Sequence, residues 1–402
     1  MSNKNEAIKE LLTRRVDEVI DEEHLERELS SGRKLRVKLG IDPTSPDLHL
    51  GHAVVLQKLK EFEKLGHQIV LIIGDFTAQI GDPSGRVEAR KPLSVVEIKK
   101  NMKEYLAQAG KVINVKKAEI FRNSKWFSKE GVEKLIELAS AASIQQILRR
   151  ADFRKRLDVG QDVSLLEALY PVLQGYDSVK VKADIELGGS DQKLNLLMGR
   201  RVQRHFGMKE QDVMTVPLLE GLDGERKMSK SFGNYIGLSD APDDMFGKIM
   251  SVPDELVHKY FILCTDIKET DINKLEKELK PRDLKARLGF EIVKFYHGEE
   301  AAEKAAEKFN ILHSHALKIN VYENVSVVDI PTLNLKKGSY FIIDLVIKSG
   351  VTKSKSEAQR LIKQGAVRID NDVFTDPRRL IEFRGGETIK IGKKNFFRIK
   401  IK

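Results

Sequence analysis

The chain has 402 residues and a net charge of +10, but the excess sits at one end: Lys336 to Lys402 holds 17 Lys/Arg against 7 Asp/Glu, whereas the first 335 residues balance at 53 of each. A uniformly sticky polycation is thereby excluded in favour of a neutral body carrying a basic module, with a tail kept only for solubility as the bland alternative. At 41% hydrophobic and 32% charged residues the chain is too apolar for disorder, and apolar runs such as Ile69 to Gly74 are far short of the ~20 residues of a membrane helix.

Met1 to about Ser30 reads as one charged amphipathic helix, with Ile8, Leu11, Leu12, Val16 and Val19 at helical spacing. It has no apolar core segment of a secretory signal, so a cytoplasmic location is expected. Leu35 to Leu39 alternates and predicts a strand halted by Gly40. After a loop with Pro43 and Pro46, Gly51 to Leu65 carries apolar residues at helical spacing and stops at Gly66. Gln68 to Gly74 is a continuous β-branched run, as in a strand buried on both faces of a parallel sheet. Strand, helix and buried strand within about 40 residues make a βαβ unit of a nucleotide-binding α/β fold.

Residues from about 75 to 182 look mainly helical, with one strand near Ala118 to Arg122, and read as a helical insertion between two halves of one Rossmann-like domain. Strands are expected at Ala183 to Leu187 and Val213 to Leu219, with a helix from about Ser190 to Phe206 between them. From Pro242 to Leu312 the pattern is helical and dense in Lys and Glu. The one cysteine, Cys264, allows no internal disulfide and no metal cluster. Val325 to Leu335 reads as a linker. The expected architecture is therefore an α/β domain over 1–225, a helical domain over 226–325 and a small basic α+β domain over 336–402.

Two motifs carry chemistry. His49-Leu50-Gly51-His52 stands where the first strand's loop enters a helix, and a helix start offers free N–H groups and partial positive charge to a phosphate. A solvated cap is the alternative. Lys227-Met228-Ser229-Lys230-Ser231 places two lysines and two hydroxyls on a glycine-flanked loop, a cationic clamp suited to a triphosphate. A third cluster, Tyr170, Gln174 and Asp177, spaced i, i+4 and i+7, puts a phenol, an amide and a carboxylate on one helix face. That is odd for a packing helix and apt for a pocket wall. Gly81-Asp82-Pro83-Ser84-Gly85 and Gly188-Gly189-Ser190-Asp191-Gln192 add carboxylates on turns, though ordinary turn chemistry also explains such residues.

HLGH followed by KMSKS about 178 residues later resembles the signature pair of class I aminoacyl-tRNA synthetases. With GDPSG, the Tyr170/Gln174/Asp177 face and GGSDQ, the chain is similar over essentially its whole length to the bacterial tyrosyl-tRNA synthetases that carry KMSKS. The resemblance implies that Asp82, Tyr170 and Gln174 hold the tyrosine ammonium, that Asp177 accepts the phenol hydroxyl and that Gln192 lies near the carboxylate. Asp191 would lie near the ATP ribose, and Asp42, Thr44, His49 and His52 would face the phosphates, with Gly51, Gly189, Met228, Ser229 and Ser231 also at the nucleotide. His49, His52, Lys227 and Lys230 would stabilise charge on the transferring phosphoryl group. ATP enters as substrate with Mg²⁺, with no protein-held metal and no tightly bound cofactor; a homodimer is implied as well. Two features depart from the pattern. Lys38 stands where many members carry a tyrosine as second partner for the phenol, and Arg86 to Pro92 follows the usual basic stretch only loosely.

In the tail, Ser354 or Ser356 can cap a helix running to Gln364 and ended by Gly365. Val367 to Ile369 and an Asp370-Asn371-Asp372 turn then predict a hairpin. Arg360 and Lys363 on that helix and Arg368 on the strand offer a phosphate-tracking surface for structured RNA. The tail resembles the RNA-binding module that ends bacterial tyrosyl synthetases, which implies tRNA(Tyr) as partner, while 226–325 would hold the KMSKS loop and a helical anticodon-binding domain. Rival readings are a tryptophanyl synthetase, which Asp177 argues against, a non-catalytic RNA-binding protein and a small-molecule adenylyltransferase.

Overall fold

A computed structural model of the chain describes residues 2–84, 94–313, 331–352, 354–370, 372–392 and 395–401. They form two compact units, Met1–Phe309 and Asn310–Lys402. The Arg86 to Pro92 stretch and the 325–330 part of the expected linker lie outside the described residues.

The first unit is built on a six-stranded sheet of β1 (Glu18–Val19), β2 (Arg36–Ile41), β3 (Gln68–Ile73), β4 (Glu119–Arg122), β5 (Ile185–Gly189) and β6 (Asp212–Val216), in the order β1-β6-β5-β2-β3-β4. The strands from β6 to β4 are parallel, and only β1 runs antiparallel, against β6. The Ile/Val/Leu run of β3 is buried from Ile69 onward, as a central parallel strand covered on both faces requires. Ile69, Leu71 and Ile73 enter one core together with Leu56, Leu59 and Phe62 of the Leu50–Lys64 helix. Val70 and Ile72 enter a second core with Trp126, Phe153 and Val172 from the helices after β4. The chain builds β2, β3 and β4 toward one edge and then β5 and β6 toward the other. The order reverses between β2 and β5, which opens a crevice at their C-terminal ends, the usual ligand position of a doubly wound sheet.

Three expectations are corrected. The N-terminal segment is two helices, Ser2–Thr13 and Glu22–Ser30, not one. Arg15 breaks the run at φ 56°, and its buried guanidinium bonds the Leu263 carbonyl at 3.0 Å and pairs with Glu61. That anchorage outweighs the helical spacing of Val16 and Val19, and Val19 joins an edge strand instead. The first strand continues through Gly40 to Ile41, because ladder bonds to β3 extend that far. At the end of the expected linker, Thr332–Leu335 is a strand paired in parallel with Asn395–Ile401; the sheet supplies the order that the weak local pattern lacks.

Helices fill the stretch from Pro242 to His313, with Pro242 and Pro281 at first-turn positions where no N–H is needed. The second unit packs the Ile342–Lys348 and Lys355–Lys363 helices against strands around a core of Leu335, Leu345, Ile362, Val367 and Ile389. Ser354 Oγ accepts the Glu357 N–H at 3.2 Å, Gly365 ends the helix at φ 69°, and Val367–Ile369 pairs with Asp372–Phe374 as a hairpin.

Candidate active site

A cavity of about 780 Å³ opens at the C-terminal ends of β2 and β5. Its wall is made by the residues after those strands, the start of the Leu50–Lys64 helix, one face of the Leu165–Val181 helix and the 227–232 loop. Every residue expected to meet tyrosine or ATP lines it except Lys230: Asp42, Thr44, His49, Gly51 and His52 on the first loop and helix, Asp82, Tyr170, Gln174 and Asp177 on the opposite side, then Gly189, Asp191, Gln192, Lys227, Met228, Ser229 and Ser231.

On the side of the cavity formed by the Leu165–Val181 helix, Asp177 is buried and accepts the Trp126 indole N–H at 3.0 Å on one oxygen and the Asn123 amide at 3.3 Å on the other. Burial pushes its carboxyl up to about 7, against the opposing Lys38 charge and those two hydrogen bonds. The Tyr170 hydroxyl donates to Asp42 Oδ2 at 2.9 Å and Thr77 Oγ1 donates to Asp42 Oδ1 at 2.7 Å. Burial and then the Asp42 charge hold the Tyr170 phenol well above its ordinary range. Gly74 makes this cluster possible, since a Cβ there would stand 2.0 Å from Asp42 Oδ1 and 2.3 Å from Thr77 Oγ1. Asp82 accepts the Gln192 amide at 2.7 Å and the Ser84 N–H at 2.9 Å. Behind them the buried Arg150 holds Ser84 Oγ at 2.9 Å and Asn195 Oδ1 at 2.5 Å.

At the start of the Leu50–Lys64 helix, His49 stands in the N-cap position in an extended conformation. Its N–H donates to His52 Nδ1 at 3.3 Å, and the two rings lie 3.8 Å apart. Burial, then His52 and the loop lysines, depress His49 to about 2; burial and the same lysines depress His52 to about 4. Both imidazoles are therefore neutral at pH 7. Because His52 Nδ1 accepts, its proton sits on Nε2, available as a donor. His49 Nδ1 is buried with no hydrogen-bond partner.

The segment that follows the basic loop is tied to this helix start through its backbone: the Leu50 N–H bonds Ile236 O at 3.0 Å and the Leu238 N–H bonds Leu48 O at 2.9 Å. Asn234 staples the loop, accepting the Ser229 N–H at 2.8 Å while donating to Asp223 at 3.0 Å. Lys227 Nζ pairs with Asp191 at 2.6 Å; Lys230 Nζ pairs with Asp47 and Ser45, at the cavity's edge. Both pairs are partly exposed, so each costs little to exchange for a phosphate oxygen. Among the described residues no cluster of three metal-ligating side chains occurs.

Sequence reading missed Thr77, Asn123, Trp126, Asp47, Asn195 and Asn234. Each acts on a partner distant in sequence or sits in a loop without periodicity, so no local pattern marks it; that Trp126 is the chain's single tryptophan is the one available hint. In the second unit, Arg360 and Lys363 are exposed near the end of their helix and Arg368 is exposed on its strand, with Lys390 as its cross-strand neighbour.

A family model described as class I tRNA synthetases (W and Y) matches residues 30–314, and one described as the tyrosine–tRNA ligase SYY-like C-terminal domain matches residues 323–399. The chain is 46% identical to the tyrosine–tRNA ligase of Thermotoga maritima, covering 97% of this chain and 96% of that protein. It is likewise 46% identical to the tyrosine–tRNA ligase of Aquifex aeolicus, with 95% of each covered. Among solved structures, a C-terminally truncated mitochondrial tyrosyl-tRNA synthetase of Aspergillus nidulans shares the fold, with a TM-score of 0.65, 22% identity and coverage of 77% of this chain and 98% of that one.

Proposed function

The chain belongs to the class I tRNA synthetases of the tryptophan and tyrosine group, and within it to the tyrosine–tRNA ligases; from that premise we propose how its own residues carry the reaction. In the first step a tyrosine carboxylate oxygen attacks the α-phosphorus of ATP, forming the acyl–phosphate bond as the bond to pyrophosphate breaks. In the second, a terminal ribose hydroxyl of tRNA(Tyr) attacks the acyl carbon and AMP leaves. No side chain needs to become a nucleophile, so catalysis is positioning and charge stabilisation.

The observation that supports tyrosine most directly is Asp177: a buried carboxylate at the cavity wall, braced by Trp126 and Asn123, suited to accept a phenol hydroxyl. Phenylalanine in that place would strand a buried polar group. Tyr170, Gln174 and Asp82 would receive the ammonium, with Gln192 beside the carboxylate. His52 Nε2–H, His49, Lys227 and Lys230 would meet the phosphates, the lysines leaving Asp191 and Asp47 to do so. Thr44, Gly51, Gly189, Met228, Ser229 and Ser231 complete the nucleotide wall, with Asp191 and Asp42 near ribose and phosphate. Magnesium, on this reading, arrives on the ATP phosphates, whose oxygens meet its preference for hard ligands.

The functional divisions would be catalysis over 1–225 together with the 227–231 loop, anticodon contact by the helical remainder of 226–325 and tRNA binding over 336–402 through Arg360, Lys363 and Arg368. A homodimer is supported by the strongly exposed apolar side chains Val132, Ile136, Val159 and Leu165 after β4. No helix among the described residues is long and apolar enough to cross a membrane; a cytoplasmic location accords with the tRNA substrate. ATP–pyrophosphate exchange measured with tyrosine, tryptophan and phenylalanine tests the assignment. Exchange with tyrosine alone is expected, and exchange with tryptophan but not tyrosine would end it.

A further inference from the structure

Lys38 and Glu186 are register partners on β2 and β5, and neither side chain is more than 1% exposed. A buried ion pair is costly to desolvate unless its hydrogen-bonding capacity is met. Here it is met. Lys38 Nζ reaches Glu186 Oε1 at 2.8 Å, Ser178 Oγ at 2.7 Å and the Gln174 carbonyl at 3.1 Å, three acceptors for three protons. Glu186 Oε2 in turn accepts the Ser178 hydroxyl at 3.0 Å and the Gln211 amide. Gly199 leaves the room, since a Cβ there would lie 2.4 Å from Gln211 Nε2 and 2.8 Å from Glu186 Oε2. Neither Lys38 nor Glu186 lines the cavity, so Lys38 does not replace the missing tyrosine as a phenol partner.

Gln174 is where this network meets the cavity. Its Nε2 donates to Glu186 Oε1 at 3.3 Å, and its backbone carbonyl is held by Lys38. A carboxylate accepts hydrogen bonds and cannot donate them. It therefore selects one of the two orientations of the Gln174 amide, the one that commits the NH₂ end to Glu186 and leaves the carbonyl oxygen for the cavity. We propose that Glu186, held by Lys38, is a positioning residue that fixes the Gln174 amide with its oxygen toward the substrate ammonium. A cation demands an acceptor at that place, and a flipped amide would present two donors to it. The inference rests on the reading of the cavity as a tyrosine site.

The test compares binding of L-tyrosine with binding of 3-(4-hydroxyphenyl)propanoate, which keeps the phenol and carboxylate but lacks the ammonium. In Glu186→Gln, whose amide satisfies either orientation of Gln174, the Kd for tyrosine should rise about tenfold or more while the Kd for the analogue shifts by less than about twofold. Lys38→Met/Glu186→Gln removes both charges together, so no unpaired buried charge threatens folding, and the same split is expected. Unchanged tyrosine affinity would overturn the proposal. So would an equal loss for both ligands, which is the mark of a purely structural pair. A wild-type protein inactive in tyrosine-dependent exchange would instead overturn the tyrosine reading and this inference with it.

Discussion

Asp177 puts function and stability in opposition at a single carboxyl group. An unfolded aspartate releases its proton near pH 4, whereas burial holds this one to about 7. Between those values the unfolded state binds fewer protons than the folded one, so stability falls as pH rises through the window and levels off above it. The cost is at most about 4 kcal/mol for a group this buried. Asp177→Asn should accordingly gain on the wild type in urea midpoint between pH 4 and pH 8, while its KM for tyrosine rises about tenfold to a hundredfold. A midpoint difference that ignores pH would refute the burial account. The histidines point the other way. His49 and His52 are already neutral well below pH 6, so their titration should leave no inflection in adenylation rate from pH 6 to 8. His52→Ala, losing one donor at the developing charge, should lower kcat about a hundredfold in single-turnover adenylation.

The elements matter through how they join. The start of the Leu50–Lys64 helix exchanges backbone hydrogen bonds with Ile236 and Leu238, just after the 227–232 loop, and the two motifs, 178 residues apart in sequence, line one cavity. Asn234 holds the loop's shape by bonding both Ser229 and Asp223. Asn234→Ala should slow adenylation about tenfold, on the order of one or two lost hydrogen bonds, and leave the tyrosine KM near wild type; a change confined to KM would place Asn234 elsewhere in the mechanism. At the end of β3, Gly74→Ala should abolish activity yet keep the far-ultraviolet circular dichroism, because Asp42 and Thr77 must move apart for a methyl group to fit. The strands and the Leu50–Lys64 helix were readable locally, since β-branched runs and 3.6-residue spacing record which faces are buried. The N-terminal break was not: Arg15 obeys a guanidinium site built by Leu263 and Glu61, and nothing near it in sequence records them.

For the whole molecule the charge distribution is the dominant fact. The first 335 residues are neutral and the last 67 carry the full +10, so on the proposed reading the placed lysines of the loop, paired with Asp191 and Asp47, would meet the nucleotide without help from bulk charge. Removing 336–402 should leave tyrosine-dependent pyrophosphate exchange within about twofold of the full chain and reduce tRNA charging at least tenfold, increasingly as salt is lowered toward conditions that favour phosphate contacts. Equal charging by the shortened protein would sink the RNA-binding role of Arg360, Lys363 and Arg368. The apolar side chains exposed after β4 belong to this scale too: sedimentation is expected to give a dimer for the wild type and a monomer for Val132→Asp/Leu165→Asp, and a monomeric wild type would end the homodimer proposal.

By itself the sequence determined the central strands of the sheet, the start of the Leu50–Lys64 helix, most of the residues that line the cavity and the separation of the basic module. Each of these is written in a local period, a turn-forming cluster or a charge count. Only the tertiary structure decided how the cavity-lining groups are held: Asp177 against Trp126 and Asn123, Asp42 against Tyr170 and Thr77, Gln174 against Glu186 and Lys38. These partners come from different strands and helices, and a buried polar group is satisfied by whichever donor the packed sheet brings within about 3 Å, a relation in space that no spacing along the chain encodes.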